Sequence, residues 1–147
     1  MFNLYEYLVS IVADVPLIKA THRVSSLVQL EETLSNLRNA VSCALLVRDS
    51  GDGHLDLRDR RLNTGYYNFY IMCQARVNDH ASRLSAKRAA MQIGVQLFDR
   101  MKQDMHDYGD PAYGFDDSRI DYSEIGPVGN NYYGYSFGFT VKQGFFL

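Results

Sequence analysis

The sequence has no tryptophan, only two cysteines and three prolines, no excess of either charge and no long apolar run. Each shortage removes a class of protein. No stretch approaches the ~18 consecutive apolar residues that a membrane span needs. The start, "MFNLYEYLVSIVADVPLIK", lacks a basic n-region and carries Glu6 early, which reads against a secretory signal. Two cysteines are too few for a disulfide framework. Cys43 and Cys73 both sit in strand-like apolar runs and read as reduced core residues of a protein made in the cytosol, with a disulfide between them as the alternative. A net charge of −2 supplies no positive field for nucleic acid. The spacings of metal and nucleotide sites are missing too: there is no H-x-x-x-H, C-x-x-C, G-x-S-x-G, P-loop or dinucleotide fingerprint. His22, His54, His80 and His106 are scattered. The "GDG" at 51–53, with Asp49 and Asp52, lacks the ligand pattern and terminal Glu of a calcium loop, and reads as a solvated turn. No metal or cofactor is expected, and no catalytic constellation.

What is present is ordinary for one soluble domain over 1–147: 46% apolar and 22% charged residues, enough chain to bury a core. Residues 2–13 predict a short amphipathic helix through Leu4, Tyr7, Leu8 and Ile11, ended by Asp14 to Pro16. "THRVS" leads into a second helix, where Ser26 and Gln29 form a capping box ahead of Leu27, Leu30, Leu34 and Leu37. "AVSCALLV", 40–47, is a short strand. "YYNFYIMCQARV", 66–77, is a long one, with Tyr67, Phe69, Ile71, Cys73, Ala75 and Val77 on one face. Asn78 caps the longest helix, ~30 residues with Ala86, Ala90, Ile93, Gly94, Leu97, Phe98, Met101 and Met105 as its apolar stripe, stopped by Gly109 and Pro111. Strands at 118–125 and from 132 onward, joined by "GPVGNN", close the chain. The expected fold is α+β: a four-stranded, mainly antiparallel sheet of two hairpins packed on the long helix, with short N-terminal helices.

Two stretches ask for more than a core. The 48–65 connection holds Arg48, Asp49, His54, Leu55, Leu57, Arg58, Arg60 and Arg61. Hairpin links usually take about two to five residues, so this one predicts a projecting charged hairpin, or an ordered interface loop. An arm of that kind has no core beneath it and needs a neighbour to lie on. In the last strand, Tyr133, Tyr135, Phe137 and Phe139 alternate with Gly134, Ser136 and Gly138. The aromatic face is expected against the long helix. The bare face permits close approach by another chain or by the N-terminal helices, with Tyr70 and Tyr132 as nearby surface tyrosines. Eleven tyrosines also lean toward a protein partner. An enzymatic or ligand-binding domain would use a pocket under the 109–117 loop, with Asp116, Asp117 and tyrosine hydroxyls; no nucleophile–base pair accompanies them. A nucleic-acid module would use Arg58, Arg60, Arg61 and exposed tyrosines, against which the interleaved aspartates act.

The order of "LEETLSNLRNAVSCALLV", then "YYNFYIMCQARV" running into a long helix, then "IDYSEIGPVGNNYYGYSFGFTV", resembles the tail terminator and tail completion proteins of tailed phages, over roughly residues 26–143. The resemblance implies a non-enzymatic virion assembly protein that forms a closed homo-oligomeric ring, commonly a hexamer. Such a ring caps the tail tube protein and meets a head-side connector or neck protein. It implies location in the virion tail or neck, and in the host cytoplasm during assembly, without membrane or specific nucleic-acid binding. It further implies that the 48–65 arm reaches over the neighbouring subunit. The leading helices, 2–37, have no counterpart in that pattern.

Overall fold

A computed structural model of the chain describes residues 2–37, 41–48, 51–58 and 62–144. In chain order it forms α1 (Leu4–Ile11, prolonged by a 3-10 turn, Val12–Asp14), β1 (Ala20–Val24), α2 (Leu27–Asn36), β2 (Cys43–Arg48), β3 (Asp52–Asp56), β4 (Leu62–Gln74), α3 (His80–Gln103), β5 (Asp121–Val128) and β6 (Tyr132–Gly144). The class is α+β, but the sheet is six-stranded and mixed. Its order is β1-β2-β4-β6-β5, with β3 on the same side of β4 as β2, nearer the start of that strand. β1 runs parallel to β2; every other pairing is antiparallel. The expected four strands therefore gain β1 and β3. β1 is an edge strand in which only Val24 is buried, and β3 is exposed throughout. Neither carries the apolar alternation that marks a strand with one face in a core.

β4 and β6 are the frame, paired from Leu62↔Gly144 to Gln74↔Tyr132. One sheet face packs on α3 and α1. Phe69 sits among Phe98, Phe137 and Phe139 with ring centroids 5.3, 5.6 and 6.1 Å away, so the aromatic face of β6 does hold the long helix. Gly94 lies opposite Phe137, where a Cβ would meet the ring. Lys87 leaves the helix edge to pair with Glu124, with its Nζ 5.7 Å from the ring centre of Tyr133. The hydroxyl of Tyr7 donates to Asp104 at 2.9 Å, and Arg100 joins Asp104 to Asp14, tying α1 to the end of α3. Burial, then the bond to Asp104, pushes the Tyr7 phenol well above its ordinary pKa.

Several boundaries differ from expectation. α3 has 24 residues, and its cap is Asp79, whose side chain accepts from the Ser82 N–H, because Asn78 takes a left-handed turn with φ 58°. β4 stops at Gln74, so Val77 lies beyond the strand and is 75% exposed. β5 begins at Asp121 and runs through a bulge between Ile125 and Val128, so only 129–131 remains as the turn. In α2, Ser26 caps as predicted, but Gln29 reaches back to Ser25. Cys43 and Cys73, expected as free thiols, face each other across β2 and β4 and are joined as a disulfide. The adjacent Gln74 N–H bonds to the Ser42 carbonyl, which makes 43/73 a non-hydrogen-bonded pair, the kind that brings side chains closest.

A half-covered sheet face as candidate interface

The second face of the sheet is shared between α2 and open space. β-strand alternation sends Ala44 and Leu46 of β2, Tyr70 and Met72 of β4, and Tyr132 of β6 to this side, where Leu30 and Leu34 of α2 bury them. Tyr70 and Tyr132 are thus core residues. The expectation of surface tyrosines fails because the helix lies over them, and the Tyr132 hydroxyl is used internally, donating to the Val41 carbonyl at 2.7 Å. Gly134 belongs to this covered part as well. It is buried, and a Cβ there would run into the Ile71 carbonyl, so its glycine serves the close approach of β4 and β6 rather than a partner.

Beyond α2 the same face is uncovered. Tyr66, Asn68, Gly138 and Thr140 floor a groove of about 800 Å³. Ser136 continues the floor toward α2, accepting from the Asn68 amide at 3.4 Å. Gly138 is half-buried, and a Cβ there would meet only the Tyr67 carbonyl oxygen, at 3.9 Å. One wall comes from the end of β2 and from β3: Arg48, Asp52, His54 and Asp56. Arg48 reaches Asp52 at 3.9 Å, and His54 Nδ1 lies 3.0 Å from the Tyr66 hydroxyl. The other wall is Asp116, Arg119, Asp121 and Lys142. Arg119 pairs with Asp121 at 3.3 Å. The chain before β5 is pinned to β6 by Asp116 N–H to the Thr140 carbonyl and Lys142 N–H to the Gly114 carbonyl, which fixes Asp116 at the rim. The Ser118 hydroxyl and N–H both donate to Asp116 and hold its carboxyl below the ordinary value.

The segment between 48 and 65 is therefore an ordered hairpin where it is described. β3 pairs with the start of β4, Asp52↔Tyr66 to Asp56↔Leu62. Of the residues singled out there, Arg48 and His54 line the groove. Leu55 lies on the opposite face of β3, 59% exposed, and Leu57 just past the strand is 62% exposed. Arg58 is exposed at the tip, its N–H bonded to Asp56. Asp49, Arg60 and Arg61 lie outside the described residues. The groove and its continuation toward α2 bring Arg48, His54, Ser136 and Gly138 together; Gly134 lies on the same sheet face but under the covered part, and Leu55 and Leu57 lie outside the groove. Sequence reasoning missed Thr64, Tyr66, Asn68, Thr140 and Lys142. Their signal was the even-numbered polar positions of β4 and β6, which fall on the face opposite the aromatic core. The pocket expected under the 109–117 loop is filled by the buried side chains of Ala112 and Phe115; Asp116 faces the groove instead.

Among the described residues no group of three His, Cys, Asp or Glu side chains comes together as a metal site, and no helix is long and apolar enough to cross a membrane. No family model, curated protein or solved structure matches the chain.

Proposed function

We propose that the chain is a structural assembly protein of a tailed phage or phage-derived particle: a ring-forming tail terminator or tail completion protein. In this reading it is no enzyme. Copies associate into a closed ring, of the hexameric kind, on the end of the tail tube, and the ring's other side meets the head-side connector or neck protein. The observation that carries the reading is the half-covered sheet face. α3 and α1 close one face, α2 closes part of the other, and the remaining strip over Tyr66, Asn68, Ser136, Gly138 and Thr140 stays open beside an exposed hairpin. Open sheet surface next to an arm without a core beneath it is the arrangement a neighbouring subunit completes. Mixed charges along both walls set the register of such a contact more than its strength.

The test is the mass of the purified protein by sedimentation velocity, alone and with isolated tail tubes. A closed oligomer, free or on tube ends, supports the proposal. A monomer in both settings overturns it. The alternative, a small ligand-binding domain, draws on one observation, the His54–Tyr66 pair inside the groove. It predicts thermal stabilisation by a small polar ligand in a chain that stays monomeric.

A further inference from the structure

We propose that a second copy extends the sheet: its β1 edge pairs, antiparallel, with the free edge of β5, and its α1 lies against the outer flank of α3. This rests on the ring reading and names a subunit contact in which the 48–65 segment takes no part.

β1 and β5 are the two ends of the sheet, and among the described residues neither edge carries a further strand. Asp116 N–H bonds the Thr140 carbonyl and Lys142 N–H bonds the Gly114 carbonyl, so even-numbered residues of β6 turn their backbone groups toward β5. Asp121, Ser123 and Ile125 stand opposite Gly138, Ser136 and Gly134, and bond inward. Tyr122 and Glu124 therefore point their N–H and C=O groups off the edge, a template for one more strand. The bulge after Ile125 ends this regular stretch, and β1, with five residues, matches the length of 121–125. Direction fits as well. β5 runs against β6, β6 against β4 and β4 against β2, while β1 runs with β2, so β1 and β5 point in opposite ways. Copies turned about an axis along the strands then meet antiparallel, β5 beside the next β1.

The side chains over the two edges select this partner. Tyr122, opposite Phe137, is exposed on the α3 face, its ring 5.7 Å from that of Tyr135. Lys87 reaches Glu124, so this flank of α3 overlooks β5, and one or two turns from Lys87 it carries Leu84 and Val95, both exposed. At the other end of the sheet, on the same face, Arg23 of β1 lies 4.1 Å from the ring centre of Tyr5 in α1. Val9, one turn further along α1, is exposed beside it. An apolar strip thus borders each free edge on the same sheet face, and joining the edges brings the two strips together. Charge does not make the selection, because Asp121 and Glu124 already have Arg119 and Lys87 as partners. Asp121 stands opposite Gly138, so a neighbour seated on β5 also stands at the groove wall. The two edges are different surfaces of one chain, which makes the contact heterologous, and the series ends when the rotation closes.

The experiment is sedimentation velocity over a concentration series, with and without isolated tail tubes, and circular dichroism to confirm that each variant is folded. Val9→Asp and Val95→Asp each place a charge on one strip, at exposed positions. Each is expected to weaken assembly at least about tenfold. Mixed in equal amounts, the two should form a dimer and nothing larger, because each copy keeps one working edge. Glu124→Pro removes an outward N–H and leaves the bonds to β6, so it should abolish assembly, whereas Glu124→Ala keeps that N–H and should assemble like the parent. If the parent assembles and Val9→Asp, Val95→Asp and Glu124→Pro all assemble as it does, the edge contact is overturned while the ring reading stands. Equal loss in Glu124→Ala and Glu124→Pro overturns the backbone pairing, and a mixture of the two strip variants that stays monomeric overturns the head-to-tail contact. A parent protein that stays monomeric under every condition overturns the ring reading and this contact together.

Discussion

Phe137 reaches α3 because position 94 has no side chain: a Cβ on Gly94 would occupy the place of the ring. That one small residue lets a helix turn settle onto three aromatic rings of the sheet, Phe69, Phe137 and Phe139, with the helix's own Phe98 packed among them, all four buried. Phe137→Ala removes a ring from the middle of the cluster, where neighbours on two elements cannot both close the gap. It should lower stability by ~3–5 kcal/mol in urea unfolding; a loss below ~1 kcal/mol would mean that the ring is not in the core. At the groove rim, Asp116 is a smaller and pH-dependent case. Its pKa is lowered in the folded chain, first by the Ser118 hydroxyl and then by the Ser118 N–H. A lowered folded pKa contributes stability above the unfolded carboxylate value of about 3.9 and loses it as pH falls through the depressed value. Ser118→Ala should therefore move the Asp116 titration upward in a carboxyl NMR experiment. Any stability difference from the parent should be constant at neutral pH and vanish in acid. An unmoved titration would show that the hydroxyl is not the cause.

At the scale of elements, the pattern that repeats is the pattern that could be read. The stripe on α3, the odd-numbered core positions of β4 and β6, and the Ser26 cap are local signals, and each is found in the fold, the stripe as far as Met101, with Met105 past the helix end at Gln103. β1 was illegible because almost nothing along it is buried, so no alternation distinguishes it from a loop, and β3, exposed throughout, was legible only as one form of the projecting hairpin or ordered loop expected over 48–65. The groove was half legible for a related reason. Gly138, Ser136, Arg48 and His54 stand out in their own segments, whereas Thr64, Asn68, Thr140 and Lys142 become a surface only when the β4–β6 register sets them side by side. Tyr70 and Tyr132 were misplaced because their burial depends on where α2 lands, which no local signal encodes. The join between β2 and β4 is a further non-local fact. With Cys43 and Cys73 paired, thiol titration of the denatured, unreduced protein should find no free thiol. Reduction should destabilise the chain by ~3–4 kcal/mol, the loop-closure value for a separation of 30 residues. Two free thiols on denaturation would return the pair to the reduced state that composition alone suggests.

For the whole molecule, two of the glycines on one face of β6, Gly134 and Gly138, separate folding from assembly. Gly134 and Gly138 lie on the α2 side of the sheet, four residues apart along the strand. Gly134 sits where the sheet is covered, with the Ile71 carbonyl in the path of a Cβ, so Gly134→Ala must push β4 and β6 apart and should cost stability. Gly138 sits where the sheet is open, with nothing nearer than 3.9 Å to a Cβ. Gly138→Leu should fold with an unchanged circular dichroism spectrum and a melting temperature close to the parent's, because the new side chain enters the groove and not the core. In a ring whose subunits meet across that groove, the same side chain takes the volume the neighbour needs, and size-exclusion should show the variant as a monomer where the parent is assembled. A folded Gly138→Leu protein that still assembles would place the subunit contact elsewhere on the molecule and remove the observation on which the ring reading stands. An unfolded one would mean that the strip is covered by the chain's own N-terminal segment, and that the groove is not a surface at all.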